Sequence, residues 1–234
     1  MTSRGHRPKA KSPSHPIRAI VGFVSGFATN WKQTGSIIPS SRSLARAMTS
    51  ILPDRHHRRK PLRILEVGAG TGAITSEILK AIRPDDTLVV YELSQEFARI
   101  LEARRVHDPD WRDRGMELRV LPFPEGVTGE QFDFAICSLP FNNFPSTLVR
   151  KCMAAFEETL AEDGKLAFFE YCHVRNVRLR IGREKTEFIR LKRIDTILSD
   201  YLNRHRISRK MVRLNVPPAW VHILQFKDEA LHPS

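Results

Sequence analysis

Three observations predict an α/β fold with a mostly parallel, seven-stranded sheet, helices on both faces and an added N-terminal amphipathic helix. From residue 62 onward, short apolar runs of strand length alternate with segments of helical period. Glycines crowd the first strand-to-helix corner in "LEVGAGTG", residues 65–72. A carboxylate, Glu92, ends the next apolar run about twenty residues further on, as in nucleotide-binding α/β folds.

Residues 1–15 are basic and rich in Pro and Ser, a composition that cannot bury enough apolar surface to order itself. Residues 16–52 form an N-terminal segment. Within it Ile17, Ile20, Val21, Val24, Phe27, Ala28 and Trp31 share one helical face, Gln33–Ser36 lie in a polar loop, and a short helix follows from Ser41 to about Ile51. "PDRHHRRKP" then reads as an exposed charged linker.

The main domain spans 61–228. Its strands are expected at 62–70, 87–93, 116–123, 132–139 and 165–171, and "KMVRLNVPPAWVHILQF" supplies two more around a Pro-Pro turn. Helices follow the glycine corner and the second strand, and a third, "STLVRKCMAAFEETLAEDG", is expected to stop at its glycine. Residues 173–213 hold thirteen Lys or Arg against four Asp or Glu. Within that run, a basic helical insertion at about 174–205 carries an apolar stripe from Phe188 to Leu202.

The chain of 234 residues carries a formal charge of +12, which favours a polyanionic partner, nucleic acid or an anionic membrane surface. No apolar run reaches the ~18 residues a bilayer-spanning helix needs. Its start offers a basic and then an apolar stretch, as a signal peptide would, but the apolar positions are interrupted at helical spacing. The three cysteines, Cys137, Cys152 and Cys172, are odd in number and form no CxxC pair, so free thiols in a reducing, cytoplasmic compartment and no metal site are expected.

Chemistry concentrates at two corners. In the first, Gly68, Gly70 and Gly72 permit a tight turn and close approach of a ligand to the backbone, with Glu66 just before them. Glu92 can accept hydrogen bonds from ribose hydroxyls. No Gly-Lys-Ser/Thr follows, so a nucleoside ligand without phosphates fits better than a phosphate cradle. In the second corner, Ser138, Leu139, Pro140 and Phe141 close the fourth strand. A backbone carbonyl and the Ser138 hydroxyl can accept hydrogens from a nitrogen, Pro140 fixes the corner, and Phe141 offers an aromatic face to a nitrogen turning cationic. Tyr171 and His173 are candidate bases by position alone.

"VGAGTG" with its acid resembles motifs I and II of the class I S-adenosylmethionine-dependent methyltransferases, which implies a Rossmann-like domain and S-adenosyl-L-methionine as cofactor. "SLPF" resembles the substrate corner of amine methylators and of the ribosomal-RNA adenine dimethyltransferases. "QTGSIIPSSRSLARAM" (33–48) and "RLNVPPAWVHI" (213–223) resemble flanking segments of the bacterial phospholipid N-methyltransferases, so the likeness spans roughly 16–226. It implies methylation of the amine of phosphatidylethanolamine or ornithine lipid and peripheral attachment to the inner face of the cytoplasmic membrane. It also implies that Gln33, Thr34 and Gly35 lie close to the cofactor. The helix of residues 16–31 would contact the anionic membrane surface. The third strand ends in "LPFPEG" without the Gly-Asp that often contacts adenine, so no adenine-binding residue is assigned. The alternative, an RNA adenine N6-methyltransferase of the dimethylase type, accounts for the charge equally well. It lacks room for a separate helical domain after the fifth strand, and aromatics do not interleave with the basic run.

Overall fold

The structure, a computed structural model, describes residues 41–58, 60–172 and 185–226. Its centre is β1 (Arg63–Val67), in which Ile64, Leu65, Glu66 and Val67 are all buried. A strand covered on both faces has no use for alternation, hence the unbroken apolar run with one acid in it. On one side β1 pairs in parallel with β2 (Thr87–Tyr91), and β2 with β3 (Gly115–Arg119). On the other it pairs with β4 (Phe132–Cys137), and β4 with β5 (Leu160–Tyr171).

β6 (Arg206–Val212) and β7 (Ala219–Gln225) complete the sheet, in the order β3-β2-β1-β4-β5-β7-β6. The six-residue connection 213–218 makes them an antiparallel pair, and β7 slots in antiparallel to β5. Successive strands depart from β1 in opposite directions. The crevice at the C-terminal ends of β1 and β4 is therefore the topological switch point, where ligands of open α/β sheets bind.

One sheet face presents Ile64, Leu88, Val90, Ile136, Ala167 and Val221 to a core shared with α1 (Arg42–Thr49) and α2 (Ala73–Ala81). α1 starts at Ser41, whose hydroxyl accepts from the Leu44 N–H at 3.1 Å. α3 (Gln95–His107) is capped in the same way by Ser94, and its Leu101 joins that core. The opposite face carries an aromatic stack. Phe123 lies parallel to Phe156 with centroids 4.7 Å apart, and Tyr91 meets Phe123 edge-on at 5.4 Å. Phe156 belongs to α4 (Ser146–Thr159), which packs against α5 (Lys185–His205).

Two sequence expectations are corrected. The helix expected to run to Gly164 ends at Thr159, because Leu160 already pairs with Phe132 as the first residue of β5. Residues 161–164 bulge out before Lys165 resumes the ladder opposite Phe134. A Cβ on Gly164 would sit 2.7 Å from the Ala161 carbonyl oxygen, so this glycine serves the bulge and not a helix stop. The supposed linker is the other case. Arg58 is buried in a two-pronged pair with Asp86, at 3.0 and 2.7 Å, while Asp86 also accepts from the backbone N–H groups of Leu62 and Arg83. The charged stretch thus carries one structural ion pair that ties it to the β2 entry.

The apolar stripe of the basic insertion holds along α5. Leu191, Ile194, Ile197, Leu198, Tyr201 and Leu202 are buried, though Phe188 at its start stands 42% exposed. The helix of residues 16–31, the loop carrying Gln33, Thr34 and Gly35, and His173 lie outside the described residues. No helix among the described residues is long and apolar enough to cross a membrane.

Candidate active site

Three segments meet at the C-terminal edge of β1, β2 and β4, stitched by hydrogen bonds that continue the ladders one step past the strands. The Gly68 N–H donates to the Tyr91 carbonyl at 2.8 Å, the Ser138 N–H to the Val67 carbonyl at 2.8 Å, and the Glu92 N–H to the Arg119 carbonyl at 3.1 Å. The glycine loop, the acid and the Ser-Leu-Pro-Phe corner therefore lie side by side at the switch point.

Gly68, Gly70 and Gly72 all have positive φ, of 81°, 57° and 85°. A side chain would be strained at each. Their surroundings differ. A Cβ on Gly68 would fall 2.9 Å from Leu139 Cδ2, so the loop and the second corner touch there. A Cβ on Gly72 would fall 2.6 Å from the Trp111 ring. A Cβ on Gly70 would meet nothing within 4 Å, so this glycine borders open space.

Glu92 is 6% exposed and anchors the loop. One carboxyl oxygen accepts from the Gly70 N–H at 2.7 Å, the other from the Ser94 N–H at 2.8 Å. Burial raises its pKa, and the backbone N–H groups of Ser94, Gly70 and Leu93 oppose the rise. Each oxygen has taken one donor and keeps a further lone pair.

Glu66, fully buried, has no hydrogen-bond partner on either oxygen, and neither does the Thr75 hydroxyl. Burial pushes Glu66 up to about 8, the nearby Thr75 hydroxyl and N–H opposing the rise without closing a well-formed hydrogen bond, and the Glu92 carboxyl adding to it. An unpartnered buried carboxyl is costly in the free protein, and a cation beside it would offset that cost.

These donors and acceptors discriminate between ligand classes. The N–H groups of Gly68, Gly70 and Gly72 are all engaged, with Tyr91 O, Glu92 Oε2 and Ala69 O. Two carboxyl groups flank the loop. This acceptor-rich surface suits a nucleoside with ribose hydroxyls and a cationic group. The residues present thus fit S-adenosylmethionine, which carries both.

In the second corner, the Ser138 hydroxyl oxygen is buried without a partner. The Phe141 N–H donates to the Leu139 carbonyl at 2.9 Å, closing a tight turn around Pro140. The Phe141 ring is 4% exposed and meets Phe168 at 6.0 Å and 60°. Behind Phe168, His222 stacks at 5.2 Å, with its Nε2 3.3 Å from Glu170 Oε2. Tyr171 is half-buried against Phe169, and burial raises its phenol pKa.

Two contributors escaped the sequence reading. Arg190 reaches from α5 to donate to the Phe144 and Asn142 carbonyls at 2.7 and 3.0 Å, bracing the turn after the corner while paired with Glu187. It was counted there as one more charge in a basic run. Asn215, 4% exposed, accepts from the Ser41 N–H at 3.2 Å and donates to the Pro217 carbonyl at 2.8 Å. Nothing in the local sequence signals either long-range bond.

A family model described as a methyltransferase domain matches residues 64–164. The chain is 32% identical over 149 residues to the ornithine lipid N-methyltransferase of Singulisphaera acidiphila, covering 61% of this chain and 72% of that protein. It is 25% identical over 182 residues to the polyketide synthase component of the lovastatin nonaketide synthase of Aspergillus terreus, but covers 6% of that much longer protein. Among solved structures, the N-methyltransferase NodS of Bradyrhizobium japonicum, in complex with S-adenosyl-L-homocysteine, superposes with a TM-score of 0.54 at 16% identity, over 78% of this chain and 87% of that one. The precorrin-6y C5,15-methyltransferase of Geobacter metallireducens does so with a TM-score of 0.55 at 12% identity, over 79% and 88%.

Proposed function

The chain belongs to the class I S-adenosylmethionine-dependent methyltransferases, in the family of the ornithine lipid N-methyltransferase, and from that premise we propose that it methylates the primary amine of a membrane-lipid head group, phosphatidylethanolamine or ornithine lipid, in successive steps. The observation that carries the reading is the 32% identity to the ornithine lipid enzyme over most of that protein's length. The geometry supports it. A corner with an unpartnered buried hydroxyl, Ser138, lies directly against the glycine loop through Leu139 and Gly68.

When bound, S-adenosylmethionine supplies a sulfonium methyl group that a nitrogen lone pair can attack. Gly68, Gly70 and Gly72 shape the floor on which it lies, with Gly70 facing the open space. Glu92 offers the lone pairs left beside its two backbone bonds to ribose hydroxyls. Glu66 offers an unpaired carboxyl to the cationic amino-acid end, which would restore its charge.

The amine must arrive deprotonated, because an ammonium has no lone pair. Ser138 Oγ and a backbone carbonyl of the corner accept the nitrogen's remaining hydrogens and aim its lone pair. Pro140 and Leu139 hold the corner in place, and Phe141 provides an aromatic neighbour for the nitrogen as it becomes cationic. The likeness to the lipid N-methyltransferases assigns the contact with an anionic membrane surface, at the inner face of the cytoplasmic membrane, to residues 16–31.

The test is direct. The purified chain is incubated with methyl-labelled cofactor and either total bacterial lipids or total RNA. Label is expected in amine-bearing lipids resolved by chromatography. Label in RNA and none in lipid would overturn the reading.

A further inference from the structure

We propose that the loop joining β6 to β7, residues 213–218, inserts Leu214 and Val216 into an anionic lipid surface, while the basic edge of β6 grips the head groups. The proposal rests on the lipid reading above and names a part of the molecule that would touch the membrane.

The loop's position comes first. The Cys172 N–H donates to the Pro218 carbonyl at 2.7 Å, and Ala219 pairs with Tyr171, the last residue of β5. The loop therefore stands at the C-terminal edge of the sheet, the same edge that carries the glycine loop, Glu92 and the 138–141 corner.

Its surface is unusual for a turn in water. Leu214 is 81% and Val216 67% exposed, the highest values for large apolar side chains among the described residues. A slack loop would fold such side chains inward. Here Asn215 points the other way, buried and bonded to Ser41 N–H and Pro217 O. The chain turns at Arg213 and Leu214 and bends through 215–217, and with Asn215 anchored inward its two neighbours are left in solvent. Pro217 and Pro218 stiffen the return.

Charge selects the partner. Residues 206–218 contain Arg206, Arg209, Lys210 and Arg213, all exposed, and no Asp or Glu. Cations along an edge strand guard against pairing with another sheet, which would account for those in β6. Edge protection does not call for two aliphatic side chains held in water at the tip. An apolar tip set in a cationic collar matches an anionic bilayer, whose acyl boundary takes Leu and Val while phosphates meet the collar. Single-stranded nucleic acid would instead be met by aromatic platforms, and the aromatic residue beside the collar, Trp220, is already covered by Arg209 at 3.9 Å.

The experiment compares the full chain with Leu214→Ser/Val216→Ser and with Lys210→Gln/Arg213→Gln. Each is sedimented with vesicles of phosphatidylcholine alone or mixed with phosphatidylglycerol. Unchanged melting temperatures show that the variants fold, as expected for exposed positions. The serine pair should weaken partitioning into mixed vesicles by at least about tenfold while leaving its salt dependence intact. The glutamine pair should weaken it by about fivefold per charge and flatten the salt dependence. Both should methylate an amino lipid dispersed in detergent as the wild type does. Wild-type sedimentation of the serine pair with the mixed vesicles overturns the proposal. Absence of methyl transfer to detergent-dispersed lipid by the wild type defeats the substrate reading instead, and the vesicle comparison still decides the loop.

Discussion

Glu66→Gln gives a test that reads the cofactor site without any turnover. The carboxyl sits fully buried without a hydrogen-bond partner, and burial pushes it up to about 8. In the unfolded chain the same group titrates near ~4.3. Between those values the folded protein holds a proton that the unfolded chain has released. Stability is then lost as pH rises, by about 1.4 kcal/mol per unit. From about pH 5 to about pH 8 the swing amounts to roughly 4 kcal/mol, a large part of a domain's net stability. Glutamine removes the titration but keeps the shape, at a pH-independent cost of about 1–3 kcal/mol for its unpaired amide. Urea unfolding of the cofactor-free protein should therefore show wild type as stable as the variant or more so near pH 5, and the variant overtaking it toward pH 8. With saturating S-adenosylmethionine the wild-type pH slope should flatten, because a cation beside Glu66 lets it ionise in place. The variant should bind the cofactor about ten- to a hundredfold more weakly by calorimetry. Parallel stability-versus-pH curves for the two proteins would refute the reasoning about Glu66. Unchanged cofactor affinity would remove it from the site.

Glu92→Ala removes the anchor of Gly70 and Ser94 as well as the ribose acceptor. It should lower both melting temperature and cofactor affinity, the latter about ten- to a hundredfold, and a change in melting temperature alone would make Glu92 purely structural. Phe141→Ala should reduce methyl transfer while leaving calorimetric cofactor affinity nearly intact. Equal losses of both would make the ring, packed on Phe168, a core residue only. Asp86→Asn leaves Arg58 without its partner and should cost about 3–5 kcal/mol in urea unfolding, with cofactor affinity unchanged. Burial raises Asp86, but the Arg58 guanidinium and the Arg83 and Leu62 N–H groups outweigh it, so its carboxyl lies below the usual range. That stability is present above about pH 4 and lost as pH falls further, so wild type and variant should converge in acid.

The strands, their alternation with helices and the two chemical corners were legible in the sequence because each rests on local rules. A doubly covered strand is an unbroken apolar run, a tight corner needs glycine, and a helix buries a stripe at its own period. Ile64 to Val67, Gly68 to Gly72, and Leu191 to Leu202 all announce themselves in this way. The end of α4 did not. Propensity carries a helix through Ala161, Glu162 and Asp163, and pairing of Leu160 with Phe132, a partner 28 residues away, overrode it. Arg58 read as solvated because nothing near it in the chain is its partner, and Asp86 is met only through the sheet.

Sequence alone thus determined which residues were available for the chemistry: two acids, three glycines and the Ser-Leu-Pro-Phe corner. Tertiary structure decided what each is free to do. The glycine N–H groups are spent on Tyr91, Glu92 and Ala69. Glu66 is left without a partner, and Leu139 fills the place of a side chain on Gly68. Asn215 turns inward and thereby holds Leu214 and Val216 out in solvent. Whether a polar group is satisfied or an apolar one is covered depends on neighbours that only the assembled sheet brings within a few ångströms, and no period or propensity along the chain records them.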